Sequence, residues 1–164
     1  MFSNMYAMKK LILTSLTLLF LFGQQSRAQD VIKQVPCSNE LMTHLADSIK
    51  DEFSKHGYIV VKEASMTMES EYEMPIIVPL TQGTWYQFVF IGDITSRLFE
   101  VRMYDSDERQ VAYEKNLGSD INGNIISYRY IPQSSLFHII KPVQVNRKKK
   151  KDLCGYVILL KRVQ

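Results

Sequence analysis

From position 58 onward, apolar residues recur at every second place, and that period constrains the fold more than any other feature of the chain. Leu98–Tyr104 sets Phe99, Val101 and Met103 on one side and Glu100 and Arg102 on the other. Ile126, Tyr128 and Tyr130 alternate with Ser127 and Arg129. A helix would scatter these side chains around its axis, whereas a strand places them on one face. Two segments go further. Thr84–Ile91 opposes Tyr86, Phe88 and Phe90 to Trp85, Val89 and Ile91, and Leu153–Arg162 opposes Tyr156, Ile158 and Leu160 to Val157 and Leu159. A strand that is apolar on both sides must be covered on both sides.

Turn residues divide this region. Gln82-Gly83, Asp105–Glu108, Gly118–Asn124, Pro132–Ser135 and Arg147–Asp152 separate short strands. The strands expected are Tyr58–Met68, Pro75–Leu80, Thr84–Ile91 and Leu98–Tyr104, one around Val111 and Tyr113, one at Ile126–Tyr130, one from Phe137 to Val145, and Leu153–Arg162. Eight strands spaced about 8–12 residues apart predict an antiparallel sandwich or barrel. One convincing helix precedes them. Leu41, Met42, Leu45, Ala46, Ile49 and Phe53 recur at spacings of three and four, Ser38 or Asn39 can cap the start, and Gly57 stops the end. The helix covers roughly 39–56, within a segment bounded at 38–57. It is the available lid for the second face of the two-sided strands, and it places Trp85 beneath it. The expected fold is therefore one mainly-β domain, a β-sandwich over 58–164 with one N-terminal α-helix packed on it.

The first 28 residues read as an address. Lys9 and Lys10 precede Leu11–Phe22, an apolar run of 12 residues. That suits a signal peptide and is too short for a membrane span, which needs about 20. Ser26 and Ala28 sit two apart, so cleavage is expected after Ala28, leaving 29–37 as a leader and no stable transmembrane segment. Removing Lys9, Lys10 and Arg27 takes the 20 basic residues to 17, against 17 acidic. The basicity of the full chain thus belongs to the targeting segment, and no nucleic-acid partner is implied. Export, periplasmic or extracellular, places Cys37 and Cys154 where a disulfide is the natural state, closing a loop of 117 residues. Two buried free thiols are the alternative, and no second Cys or His sits at metal-ligand spacing.

The stretches PLTQGTWYQFVFIGD, LFEVRMYDSDERQVAYEK, ISYRYIPQSSLFHIIKPVQV and LCGYVILLKR, over about 76–162, resemble the bacterial pre-peptidase C-terminal type jelly-roll. Gly83, Tyr86, Phe88, Asp105, Pro132, Ser134 and Phe137 carry the resemblance. It implies a jelly-roll-like sandwich of the secreted accessory kind, often attached to hydrolases and sometimes binding sugar, protein or calcium. The helix at 39–56 is not part of that family's usual module, and no hydrolase domain accompanies it here.

Catalytic signatures are missing from the sequence: there is no G-x-S-x-G, H-E-x-x-H or Gly-rich phosphate loop. His44, His56 and His138 read as surface histidines rather than a metal or catalytic set. Asp120, Asn122 and Asn124 begin like a calcium loop, but Ile125 and Ile131 stand where glycine and glutamate belong. Asp105–Glu108 is an acidic turn able to offer oxygens to calcium. Arg147–Lys151, with Lys148, Lys149 and Lys150 at its centre, is either an anion site or a hydrated hairpin tip. Trp85, the single tryptophan, is the residue type that stacks on sugar, and Tyr104 points away from the Phe99 side as a second aromatic candidate. Glu69–Glu73 reads as a loop that could rim a binding face. No metal, cofactor or catalytic residue is expected. The reading is an exported, non-enzymatic binding or accessory protein, its partner an envelope protein or a glycan. A stand-alone carbohydrate-binding module is the alternative, and a small secreted hydrolase or inhibitor a further one.

Overall fold

The computed structural model describes residues 35–163; the expected signal segment 1–28, leader residues 29–34 and Gln164 lie outside the described residues. Among the described residues one helix, α1 (Glu40–Lys55), precedes eight strands: β1 (Tyr58–Met68), β2 (Ile76–Pro79), β3 (Tyr86–Gly92), β4 (Leu98–Tyr104), β5 (Gln110–Leu117), β6 (Ile125–Tyr130), β7 (Phe137–Val145) and β8 (Leu153–Arg162). They form two four-stranded sheets, ordered β1-β8-β3-β6 and β2-β7-β4-β5, with antiparallel pairing throughout. Among the described strands only β4 and β5 form a hairpin within one sheet; every other connection crosses between sheets. This is the jelly-roll strand order.

The two-sided strands are the two central strands of their sheet, β8 and β3. All seven residues of β3 are buried. Its inner face, Tyr86, Phe88 and Phe90, packs with Phe99, Val101, Met103, Met66, Ile140 and Leu159 between the sheets. Its outer face, Val89 and Ile91, joins Ile158 and Leu160 under Met42 and Ala46 of α1, with Leu45, Ile49 and Phe53 partly buried beside them. Asn39 caps the helix, its side chain accepting from the Met42 N–H at 3.0 Å. Leu41 departs from the expected stripe and is 83% exposed, because it lies about 100° around the axis from Met42. The helix stops where Gly57 takes φ 78°, a left-handed geometry that favours glycine.

Cys37 and Cys154 are disulfide-bonded, with Cα atoms 5.5 Å apart. The bond ties the segment before α1 to β8, on the face that α1 covers. His138 corrects an expectation. It is 1% exposed while Phe137 is 61% exposed, so the apolar neighbour points out and the imidazole points in. There Nδ1–H donates to the Leu136 carbonyl and Nε2 accepts from the Tyr130 hydroxyl, both at 3.1 Å. Asp105 serves as a hairpin staple: Oδ1 accepts from the Asp107 and Arg109 N–H groups and Oδ2 from Arg109 Nε.

Candidate functional site

The outer face of the β1-β8-β3-β6 sheet is built in rows. Val60, Leu160, Gln87 and Arg129 lie side by side in one row, and Leu160 sits in the cluster beneath the helix. In the next row Tyr58 pairs with Arg162, whose N–H donates to the Trp85 carbonyl at 2.9 Å. α1 reaches this row only with its last turn, where Phe53 meets Tyr58 edge-on at 5.5 Å. Beyond it the sheet is open. Trp85 is therefore 42% exposed rather than buried beneath the helix as the strand pattern suggests. The pattern reports which face Trp85 occupies; the length of α1 decides whether that position is covered.

The uncovered row forms a shelf. A groove of ≈ 330 Å³ has Glu52, Phe53 and His56 as its helical wall and Tyr58, Arg129 and Arg162 as its floor. Arg162 also belongs to an adjoining concavity of ≈ 390 Å³ lined by Gly83, Thr84, Trp85 and Lys161. Gly83, at φ 70°, makes the turn that presents Trp85 at the head of β3, donating its N–H to Pro132 at 3.0 Å. The Arg162 guanidinium lies 5.8 Å from the Trp85 ring centroid, a cation–π contact that orients the indole.

Among the described residues Arg129, Lys161 and Arg162 form no ion pair. Glu52, on the wall, lies 3.5 Å from Lys55 Nζ and 3.7 Å from His56 Nδ1. The floor is thus cationic and the wall nearly balanced.

The other expected residues lie elsewhere. Tyr104 is half-buried on the outer face of the opposite sheet, with Lys141 Nζ 5.1 Å from its ring centroid and its hydroxyl 3.4 Å from Gln110 Oε1. The cations around it are paired: Arg102 with Glu73 and Glu100, Lys141 with Glu73, and Lys115 with Glu100. The hydrogen bond from Lys141 holds the Glu73 carboxyl below its ordinary pKa. Lys148, Lys149 and Lys150 are exposed at the β7–β8 turn, which crosses between the sheets and is therefore not the hairpin tip expected. Lys149 lies 3.7 Å from Glu71, Lys151 lies 3.3 Å from Glu69, and the Lys150 carbonyl accepts from Ser70 N–H. Glu69 and Glu71 therefore bracket the basic tip, and Glu73 joins Arg102 and Lys141, so the acidic stretch does not rim the shelf.

Sequence reasoning missed His56, Arg129, Lys161 and Arg162 as a set. One signal was available: Arg162 continues the Ile158 and Leu160 face, and a cation at the end of an apolar face marks where its cover stops. Among the described residues no three of His, Cys, Asp and Glu gather as metal ligands, and no helix is long and apolar enough to cross a membrane.

No family model matches the chain, so the pre-peptidase C-terminal resemblance has no such match behind it, and no curated protein matches either. Solved structures do. AlgX of Pseudomonas aeruginosa aligns at 8% identity and TM-score 0.43 over 64% of this chain, which spans 27% of AlgX. TmCBM61, solved with β-1,4-galactotriose, aligns at 12% identity and TM-score 0.36, covering 66% of this chain and 84% of that one. A Streptococcus pneumoniae fucose-binding module aligns at 14% identity and TM-score 0.35, covering 61% and 70%. At TM-scores below 0.5 these likenesses assign no activity to this chain.

Proposed function

We propose that this chain is an exported, non-catalytic module that binds carbohydrate on the shelf around Trp85. The observation that carries the reading is the single tryptophan, 42% exposed at the mouth of a groove and backed by Arg162. A sugar ring presents C–H groups on its face and hydroxyls at its edge. The indole face suits the first, and guanidinium, ammonium and Thr84 hydroxyl groups beside it suit the second. The groove continues past Arg162, which suits a chain of sugars rather than one enclosed ring. The Cys37–Cys154 bond fits an oxidising compartment, in keeping with export. The reading narrows a general accessory role to glycan binding, and the hydrolase alternative is not favoured: the one buried histidine is engaged by Tyr130 and Leu136 inside the sandwich.

A glycan array followed by titration tests it. Trp85→Ala should weaken binding at least about ten-fold, equivalent to ~1.4 kcal/mol, while Tyr104→Ala should change it less than about two-fold. Because Trp85 is the single tryptophan, its emission reports directly on occupancy of the shelf. Glycan binding that leaves the emission of the native protein unmoved and survives Trp85→Ala unchanged would sink the proposal.

A further inference from the structure

We propose that the shelf selects an acidic sugar, a pyranose bearing a carboxylate, with its ring on Trp85 and its carboxylate between Arg129 and Arg162. This rests on the shelf being a glycan site. Its independent support is the pairing of charge. On the opposite outer face the cations around the aromatic Tyr104 find carboxylates, Arg102 with Glu100 at 2.7 Å and Lys141 with Glu73 at 2.9 Å. Around Trp85, two arginines from two strands, Arg129 and Arg162, share one groove floor and neither pairs with a carboxylate among the described residues. Like charges held together in a concavity repel, and an anion seated among them relieves that repulsion. A planar guanidinium fork matches a carboxylate by two parallel hydrogen bonds. The helical wall offers no comparable cation excess, since Glu52 offsets Lys55 and His56 there and the C-terminal pole of α1 is negative, so the carboxylate belongs on the sheet side.

A single-stranded nucleic acid also combines stacking with charge. It fits less well, because such sites stack successive bases on several aromatic side chains, and here Phe53 is half-buried and Tyr58 buried, leaving Trp85 alone exposed in the shelf.

The test compares polygalacturonate and polyglucuronate with their methyl esters, which keep the ring and remove the charge. Calorimetric titration of the intact protein should show an acid form bound at least about ten-fold more tightly than its ester, with the preference shrinking as salt rises from about 50 to about 500 mM. Arg129→Gln should abolish the preference of acid over ester; Arg129 is exposed, and a thermal melt checks that the variant is folded. Equal binding of acid and ester, or tighter binding of neutral glycans, overturns the acidic selection and leaves glycan binding standing. Binding of no glycan removes both, and tighter binding of a single-stranded oligonucleotide replaces the glycan with another ligand.

Discussion

Two regions of this protein concentrate positive charge, and they are built in opposite ways. The β7–β8 tip draws five cations from consecutive positions, Arg147–Lys151. The shelf draws its cations from β6 and the end of β8, and adds His56 and Trp85 from segments far apart in the chain. At the tip the run is opened to water: Lys149 takes φ 48° in a tight turn on Asn146, and Glu69 and Glu71 lie across from two of the lysines. At the shelf, the cations face a groove and an uncovered indole. Charge dense along a chain is easily a hydrated turn that discourages edge pairing. Charge brought together by the fold, beside an aromatic ring, has been placed there at a cost in repulsion.

The largest effect expected falls on the frame that creates the shelf. Cys37→Ser with Cys154→Ser should lower stability by roughly 3–5 kcal/mol, since the bond closes a loop of 117 residues. The anchored segment leads directly into α1, so glycan affinity should fall as the helical wall loosens, while the tip, held by its own turn, should keep its hydrogen-exchange pattern. Urea melts and exchange measurements check both. An unchanged midpoint would mean that α1 is docked by apolar contacts alone.

Next in size is Phe53→Ala, which removes the wall's contact with Tyr58 and part of the helix cluster. Half-buried, Phe53 should cost about 2 kcal/mol, below the range for fully buried phenylalanines. Emission of Trp85 in the free protein should barely shift, because the indole already faces water. A large red shift would place Phe53 over the ring and redraw the groove.

A smaller pair of changes compares the regions directly. Lys148→Gln with Lys150→Gln should alter stability by less than about 0.5 kcal/mol and glycan binding by less than about two-fold. Loss of binding there, with Arg129→Gln silent, would reverse the comparison.

Much of the sandwich was legible because periods of 2 and 3.6 are local. The eight strands, the capped helix and the two-sided character of β3 and β8 all follow from neighbouring residues. The cysteine pairing followed from compartment and count. The site did not follow, for two reasons. Covering is a long-range property: the row of Tyr58, Arg162 and Trp85 becomes a shelf only because α1 ends at Lys55. Parity is also fragile where polar and apolar residues share a strand. On β7, Phe137 looks like core and His138 like surface, yet the strand's register puts His138 inside against Tyr130. A one-residue shift exchanges every side chain between faces, so one mistaken residue misplaces its neighbours.

The weakest effect expected concerns the face opposite the shelf, where charges are paired. Glu73 has its pKa lowered, first by the hydrogen bond from Lys141 and then by Arg102, so the folded state binds its proton less readily than the unfolded chain. A lowered carboxyl contributes stability above its unfolded pKa, near 4.3, and that contribution is lost as pH falls through the folded value. Glu73→Gln should therefore be slightly less stable than the native chain at pH 7, and the difference should shrink as acid protonates the native carboxyl. Solvent access to this pair keeps the effect small. Melting temperatures of both proteins as the pH is lowered measure it. Glycan binding at the shelf should follow neither curve, since no residue of this network reaches the groove; a parallel loss of binding would show that the two outer faces are coupled through the core.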